Sequence, residues 1–175
     1  MTAKGNPLTN HQESLRGFPG FLQDVNQHVD RAIAQDMSTR SFVLQIAERY
    51  SYIRLADLYR PLRFLRQLSG QPPVCFGASG FRRDLVDDQE PARHYTAFVF
   101  VGYWLPTLLA TPILWAWEIL GFVRYGWQWS QPDIRSGTIG IRHGRCVRKQ
   151  GPGVLPTLIA RDLREKIGSG PLGNG

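Results

Sequence analysis

An all-α fold, a helical bundle with a central apolar hairpin and a following helix, is predicted by three observations on this 175-residue chain. Apolar residues recur at helical spacing along the N-terminal third. The run YTAFVFVGYWLPTLLATPILWAWEILGFV, 95–123, carries one formal charge, Glu118, and has proline signals in its middle. After it, Ser130 and Pro132 stand where an N-cap and a first helical residue belong.

The composition suits one ordinary domain, or a small core domain with a helical arm, because 42% of residues are apolar and 20% charged. Bulk disorder is excluded on that balance. The net charge of +7 is uneven: residues 1–94 contribute +2, residues 95–123 contribute −1, and residues 124–175 contribute +6. A basic C-terminal third favours phosphate, an anionic lipid surface or nucleic acid, or else is a solvated face that aids solubility. Cys75 and Cys146 form no CxxC pair and have no clustered His, so neither zinc nor thiol redox chemistry is indicated. The first residues lack the apolar core of a signal peptide, and a cytoplasmic N-terminal segment is expected.

Residues 1–19 read as a flexible lead-in with Gly5, Pro7, Gly17 and Pro19. N-terminal amphipathic helices occupy 20–68, two main ones and a short further one that Pro61 can start. The first, at about 20–36, sets Phe21, Val25, Val29, Ala32 and Ile33 inward and Asp24, Gln27, Asp30 and Arg31 outward. The second starts at Ser38 or Thr39, shows Phe42, Ile46, Tyr50 and Ile53, and continues toward Tyr59 until Pro61. Arg49, Arg54, Arg60, Arg63 and Arg66 accumulate here, and positions 60, 63 and 66 lie close to one face, as a phosphate-binding ridge or a solvated face. SGQPPVCFGASG, 69–80, reads as a linker, 81–167 as the apolar helical core domain, and 168–175 as a disordered tail.

Hydropathy makes 95–123 a candidate transmembrane helix. Its aromatics do not gather at its ends as a membrane belt would, and flanking arginines give no orientation. Pro106 and the start signal Thr111-Pro112 divide it instead into helices at about 90–105 and 112–125, with a turn between. As one helix, His94 and Glu118 would stand roughly 36 Å apart; in a hairpin their levels differ by only roughly 6 Å. The third helix, from about 132, aligns Asp133, Ser136 or Gly137, and Gly140 on one face. Gly137, Gly140 and Gly144 suit close approach of another helix or of a ligand. Ser136 with His143 lacks the nucleophile-elbow context of a hydrolase.

An acidic Asp88, then Arg93-His94 on a helix, an apolar hairpin, Glu118, Asp133 and Gly140: this order over about 84–145 resembles the VanZ-like family. More distantly it resembles the wider helical superfamily that includes Wnt-type and bacterial toxin domains acting on lipids. The resemblance implies a compact helical unit, often membrane-embedded, whose polar residues converge on a lipid-linked or phosphate-bearing head group. His94, Glu118 and Asp133 are then the catalytic candidates, with Arg93, Arg124 and Arg135 for the phosphate or head group. The residue chemistry is compatible, since His exchanges protons near neutral pH and a neighbouring carboxylate orients it. Structural readings stand beside this: a cap or satisfied polar role for His94, a helix-start acid for Asp133. Glu118, among Trp115, Trp117, Ile119 and Leu120, requires a specific partner.

The resulting expectation is a membrane-associated protein whose ligand is a membrane lipid or lipid-linked molecule, with phosphoester hydrolysis or transfer as the implied reaction if it is an enzyme. No cofactor is predicted, although a divalent metal held by the His and two carboxylates is compatible. Nucleic acid is not expected, because the basic residues lack interleaved aromatics. The alternatives are a non-enzymatic membrane-anchored protein and a soluble, cytoplasmic, toxin-like or interaction domain.

Overall fold

A computed structural model describes residues 16–54, 72–87, 90–124 and 130–165, except for the side chains of 118 and 120–124. The described regular structure is helical: α1 (Gly17–Ala34), α2 (Thr39–Ser51), α3 (Pro91–Trp104), α4 (Thr107–Arg124), α5 (Gln131–Gln150) and α6 (Leu155–Asp162). Short 3-10 turns occupy Arg83–Leu85 and Pro152–Val154, and a lone bridge joins Phe81 to Arg164. The all-α bundle with an apolar hairpin and a following helix is therefore the fold.

α1 starts at Gly17, inside the expected lead-in, because a neighbouring loop satisfies its first N–H groups. Gly17 donates to the Phe76 carbonyl at 2.6 Å and Phe18 to that of Ser79 at 2.7 Å. Pro19 falls in the first turn, where no intrahelical donor is required. Gly17 has φ +62°, and a Cβ there would strike the Ser79 carbonyl. The Gly/Pro-rich stretch thus packs against α1, and Phe76 and Phe81 join Phe21, Tyr50 and Tyr95 in one aromatic core.

Two positions on α1 reverse their expected sides. Ile33 is exposed, whereas Asp24 is buried. Only about 60° separates position 24 from Phe21 on the helix, so Asp24 belongs to the inward face. There Arg49 grips its carboxylate with two bonds, at 2.8 and 3.0 Å, and Tyr50 donates a third at 2.7 Å. Burial alone would raise the Asp24 carboxyl, but the bonds from Arg49 and Tyr50 hold it below its ordinary value. Asp24→Asn should cost about 2 kcal/mol or more in urea unfolding, the half-exposed Arg49 softening the loss. Tyr50→Phe, which removes one bond, should cost about 1 kcal/mol.

α2 begins as expected, Ser38 Oγ accepting from Ser41 N at 3.2 Å. It ends at Ser51, well short of Tyr59. Tyr52 takes a left-handed conformation at φ 59°, and the N–H groups of Tyr52 and Ile53 return to the Glu48 and Ala47 carbonyls. Arg49 and Arg54 pair with Asp24 and Glu48. Arg60, Arg63 and Arg66 lie outside the described residues.

α3 and α5 run parallel in close contact. Gly137 lies against His94 and Phe98, Gly140 against Tyr95 and Phe98, and Gly144 against Val99 and Tyr103, so the contacts advance together along both helices. Gly102 of α3 answers from the other side, against Ile141. The glycines serve helix–helix approach, one of the two uses expected for them.

α4 returns antiparallel over this pair, with Ala110 and Leu114 buried against Phe98 and Ile141. It begins five residues earlier than Thr111-Pro112 suggested. Pro106 forces its predecessor Leu105 into an extended conformation (φ −113°, ψ 145°), which ends α3. The Pro106 carbonyl then accepts from Leu109 and Ala110, each at 2.9 Å, and the new helix is under way before Pro112. Pro112 sits inside α4 and deprives the Leu108 carbonyl of its ladder donor. α5 starts as predicted, Ser130 Oγ accepting from Asp133 N at 3.1 Å. No helix among the described residues is long and apolar enough to cross a membrane. Leu108, Leu109, Ile113, Trp115, Trp117 and Ile119 of α4 are nevertheless all exposed.

Candidate functional site

Parallel packing of α3 and α5 brings both helix N-termini to one end of the bundle. His94, in the first turn of α3, and Asp133, in the first turn of α5, meet there, with Nδ1 to Oδ1 at 3.8 Å. That distance is longer than a hydrogen bond. The imidazole packs on Phe98, ring centres 5.0 Å apart, and Gly137 makes room for it, since a Cβ there would come within 3.3 Å of Nε2. Leu114 of α4 closes over Gly137.

The Glu118 side chain lies outside the described residues, but the backbone register can be followed. Arg145 meets Thr107, and Gly137 meets Leu114. One further turn of this antiparallel register sets position 118 of the backbone at the level of Asp133. Asp88 and the Arg124 side chain also lie outside the described residues.

Arg135 reaches Asp84 at 3.5 Å, and Asp84 is also held in a fork by Arg82 at 3.0 and 2.7 Å. On α5, position 135 is about 200° from Asp133, which puts it on a different face. Arg93 lies close enough to Cys75 to act on its thiol, whose deprotonation is disfavoured by burial and then by Glu90. Among the described residues no three His, Cys, Asp or Glu side chains converge as a metal site requires.

A polar network that sequence reasoning missed fastens α6 to the bundle. Tyr95 Oη lies 2.8 Å from His143 Nδ1, and His143 Nε2 lies 2.8 Å from Asp162 Oδ2. Asp162 also accepts from Arg142 at 2.7 Å and twice from Arg161 at 2.9 Å. An ionised carboxylate only accepts, so the His143 proton sits on Nε2, and Nδ1 accepts from Tyr95. Burial drives His143 down to about 4, only partly opposed by Asp162, whose charge is shared with two guanidiniums. The Arg161 bonds, against some burial and with help from His143, hold Asp162 well below the carboxylate range. With both ring nitrogens engaged, His143 does not activate Ser136, whose buried Oγ meets no partner among the described residues.

Asp24 on an otherwise apolar face could have been found from its angle to Phe21. The Tyr95–His143–Asp162 set had no such signal, because its members are 48 and 19 residues apart. By fold, the molecule is an all-α bundle with a polar pair at the joined N-termini of two parallel helices. No family model, curated protein or solved structure matches the chain.

Proposed function

We propose that this chain is a membrane-associated helical protein of VanZ-like type that binds a lipid-linked or phosphate-bearing head group where α3 and α5 begin. The observation that carries the reading is the meeting of His94 and Asp133 beside a helix, α4, with six large apolar side chains exposed. Parallel helix N-termini add their partial positive charges at that end, which favours an anion. An apolar helix of this kind lies in the lipid interface without crossing it. In this reading His94 is the acid/base for phosphoester chemistry, Glu118 orients it, and Asp133 binds or activates the reacting group. Arg124, about one and two-thirds turns beyond Glu118 on α4, is the arginine assigned to the phosphate.

Calorimetric titration with a short-chain phosphatidylglycerol kept below its micelle concentration tests the site apart from any membrane surface. His94→Ala and Asp133→Asn should each weaken binding about tenfold or more, with circular dichroism unchanged. Equal affinity in both variants would remove the site. A non-enzymatic membrane anchor, by contrast, would bind membranes without binding the soluble lipid.

A further inference from the structure

The turn between α3 and α4 has chemistry that the head-group site does not use. Leu108 is 85% exposed and Leu109 55%, and the apolar exposure continues along α4 through Ile113, Trp115, Trp117 and Ile119. Around the turn stands a basic collar. The Arg40 guanidinium lies 5.0 Å over the Trp104 ring, Arg148 donates to the Tyr103 carbonyl at 3.4 Å, Arg145 donates to Thr107, and Lys149 is exposed beside them. No Asp or Glu occurs from 91 to 117 or from 134 to 150. The shielded Nε1–H of Trp104 and Nε–H of Arg145 also meet no acceptor among the described residues.

We infer that α4 and the turn before it dock flat on an anionic lipid surface, Leu108 and Leu109 entering the acyl boundary while Arg40, Arg145, Arg148 and Lys149 meet lipid phosphates. This rests on the membrane association proposed above and adds its mode and its lipid class. The helix lies flat because its exposed apolar residues run its described length, whereas an upright insertion would bury the turn alone. The lipid is anionic because guanidiniums gather at Tyr103, Trp104 and Thr107, just before the leucines, and no carboxylate occurs over 91–117 or 134–150. A second copy of the chain is disfavoured as the occupant, since it would bring the same basic collar against itself. Arg145 and Arg148 also complement the C-terminal end of α5 and brace the turn, but neither role accounts for the two exposed leucines that follow Thr107.

Vesicle sedimentation with the full chain tests this. Wild type should bind phosphatidylcholine vesicles containing about one third phosphatidylglycerol at least tenfold more tightly than pure phosphatidylcholine, with the difference collapsing in about 0.5 M salt. Leu108→Asp with Leu109→Asp should lower anionic-vesicle binding about tenfold or more at an unchanged melting temperature, while leaving soluble-lipid titration intact. Arg148→Glu with Lys149→Glu should lower anionic binding alone. Wild type that binds vesicles while the leucine variant binds equally well overturns the docking mode and spares membrane association. Equal binding to neutral and anionic vesicles overturns the lipid class. No binding to either vesicle overturns membrane association itself, and a dimer lost in the leucine variant assigns the face to a second copy.

Discussion

Gly144→Ala is expected to remove about 3 kcal/mol or more of folding stability, enough to unfold a marginal domain. The added Cβ would strike the Val99 carbonyl and stand 2.6 Å from the Tyr103 nitrogen and 2.9 Å from the Gly102 carbonyl carbon, all backbone atoms. Backbone cannot swing aside as a side-chain tip can, so α3 and α5 must separate along their whole contact. Gly102→Ala and Gly140→Ala meet backbone in the same way, Gly140 with the Tyr95 carbonyl at 2.6 Å. Gly137→Ala should be milder, since its nearest neighbours are the ends of Leu114, Phe98 and His94. Gly153→Ala, with nothing within 4 Å, is the control. Urea midpoints falling in that order support the seam; a Gly144→Ala midpoint equal to wild type would contradict it.

Acid should loosen the fold well before carboxylates titrate. His143 is held neutral in the fold, at about 4 against an ordinary 6.5. The unfolded chain therefore binds the extra proton throughout that interval. Stability from this group is complete above about pH 6.5 and is lost as pH falls toward 4, amounting to about 2 kcal/mol between pH 7.5 and pH 5. His28, also lowered, chiefly by burial, acts in the same direction. Asp24 and Asp162, lowered by their partners, add a separate loss at still lower pH, below the ordinary carboxylate value. His143→Gln can still accept from Tyr95 and donate to Asp162, and it does not titrate. Unfolding free energies should then be nearly flat across that interval in the variant and sloped in wild type, and equal slopes would place the proton uptake elsewhere.

The hairpin was legible because Pro106 breaks the helical ladder, whereas Thr111-Pro112 lies inside α4; its turn was misplaced because two helix-start signals competed five residues apart. The earlier one prevailed through Leu105, whose backbone the proline had already extended. α5 was read correctly from its cap. Helix-end counting, a one-dimensional argument, paired His94 with Glu118 across the hairpin, whereas Asp133 joined them only through the family resemblance; the structure brings His94 and Asp133 to 3.8 Å. Arg135 escaped that counting, because it lies on another face and the Asp84 that takes it comes from a 3-10 turn with no periodic signal. The direction of α3 relative to α5 depends on the intervening helix and was not legible from either sequence segment alone.

That parallel arrangement has a consequence for how the molecule is made. α3 cannot find its mate next door, since Tyr95 and His143 are 48 residues apart. Pairings between such distant segments form late, and surfaces that wait for them stay uncovered. On the ribosome, the hairpin of α3 and α4 emerges first, and Phe98, Gly102 and Leu114 wait uncovered until α5 follows. The newborn chain therefore shows more apolar surface than the finished one, which still leaves Leu108 and Leu109 exposed.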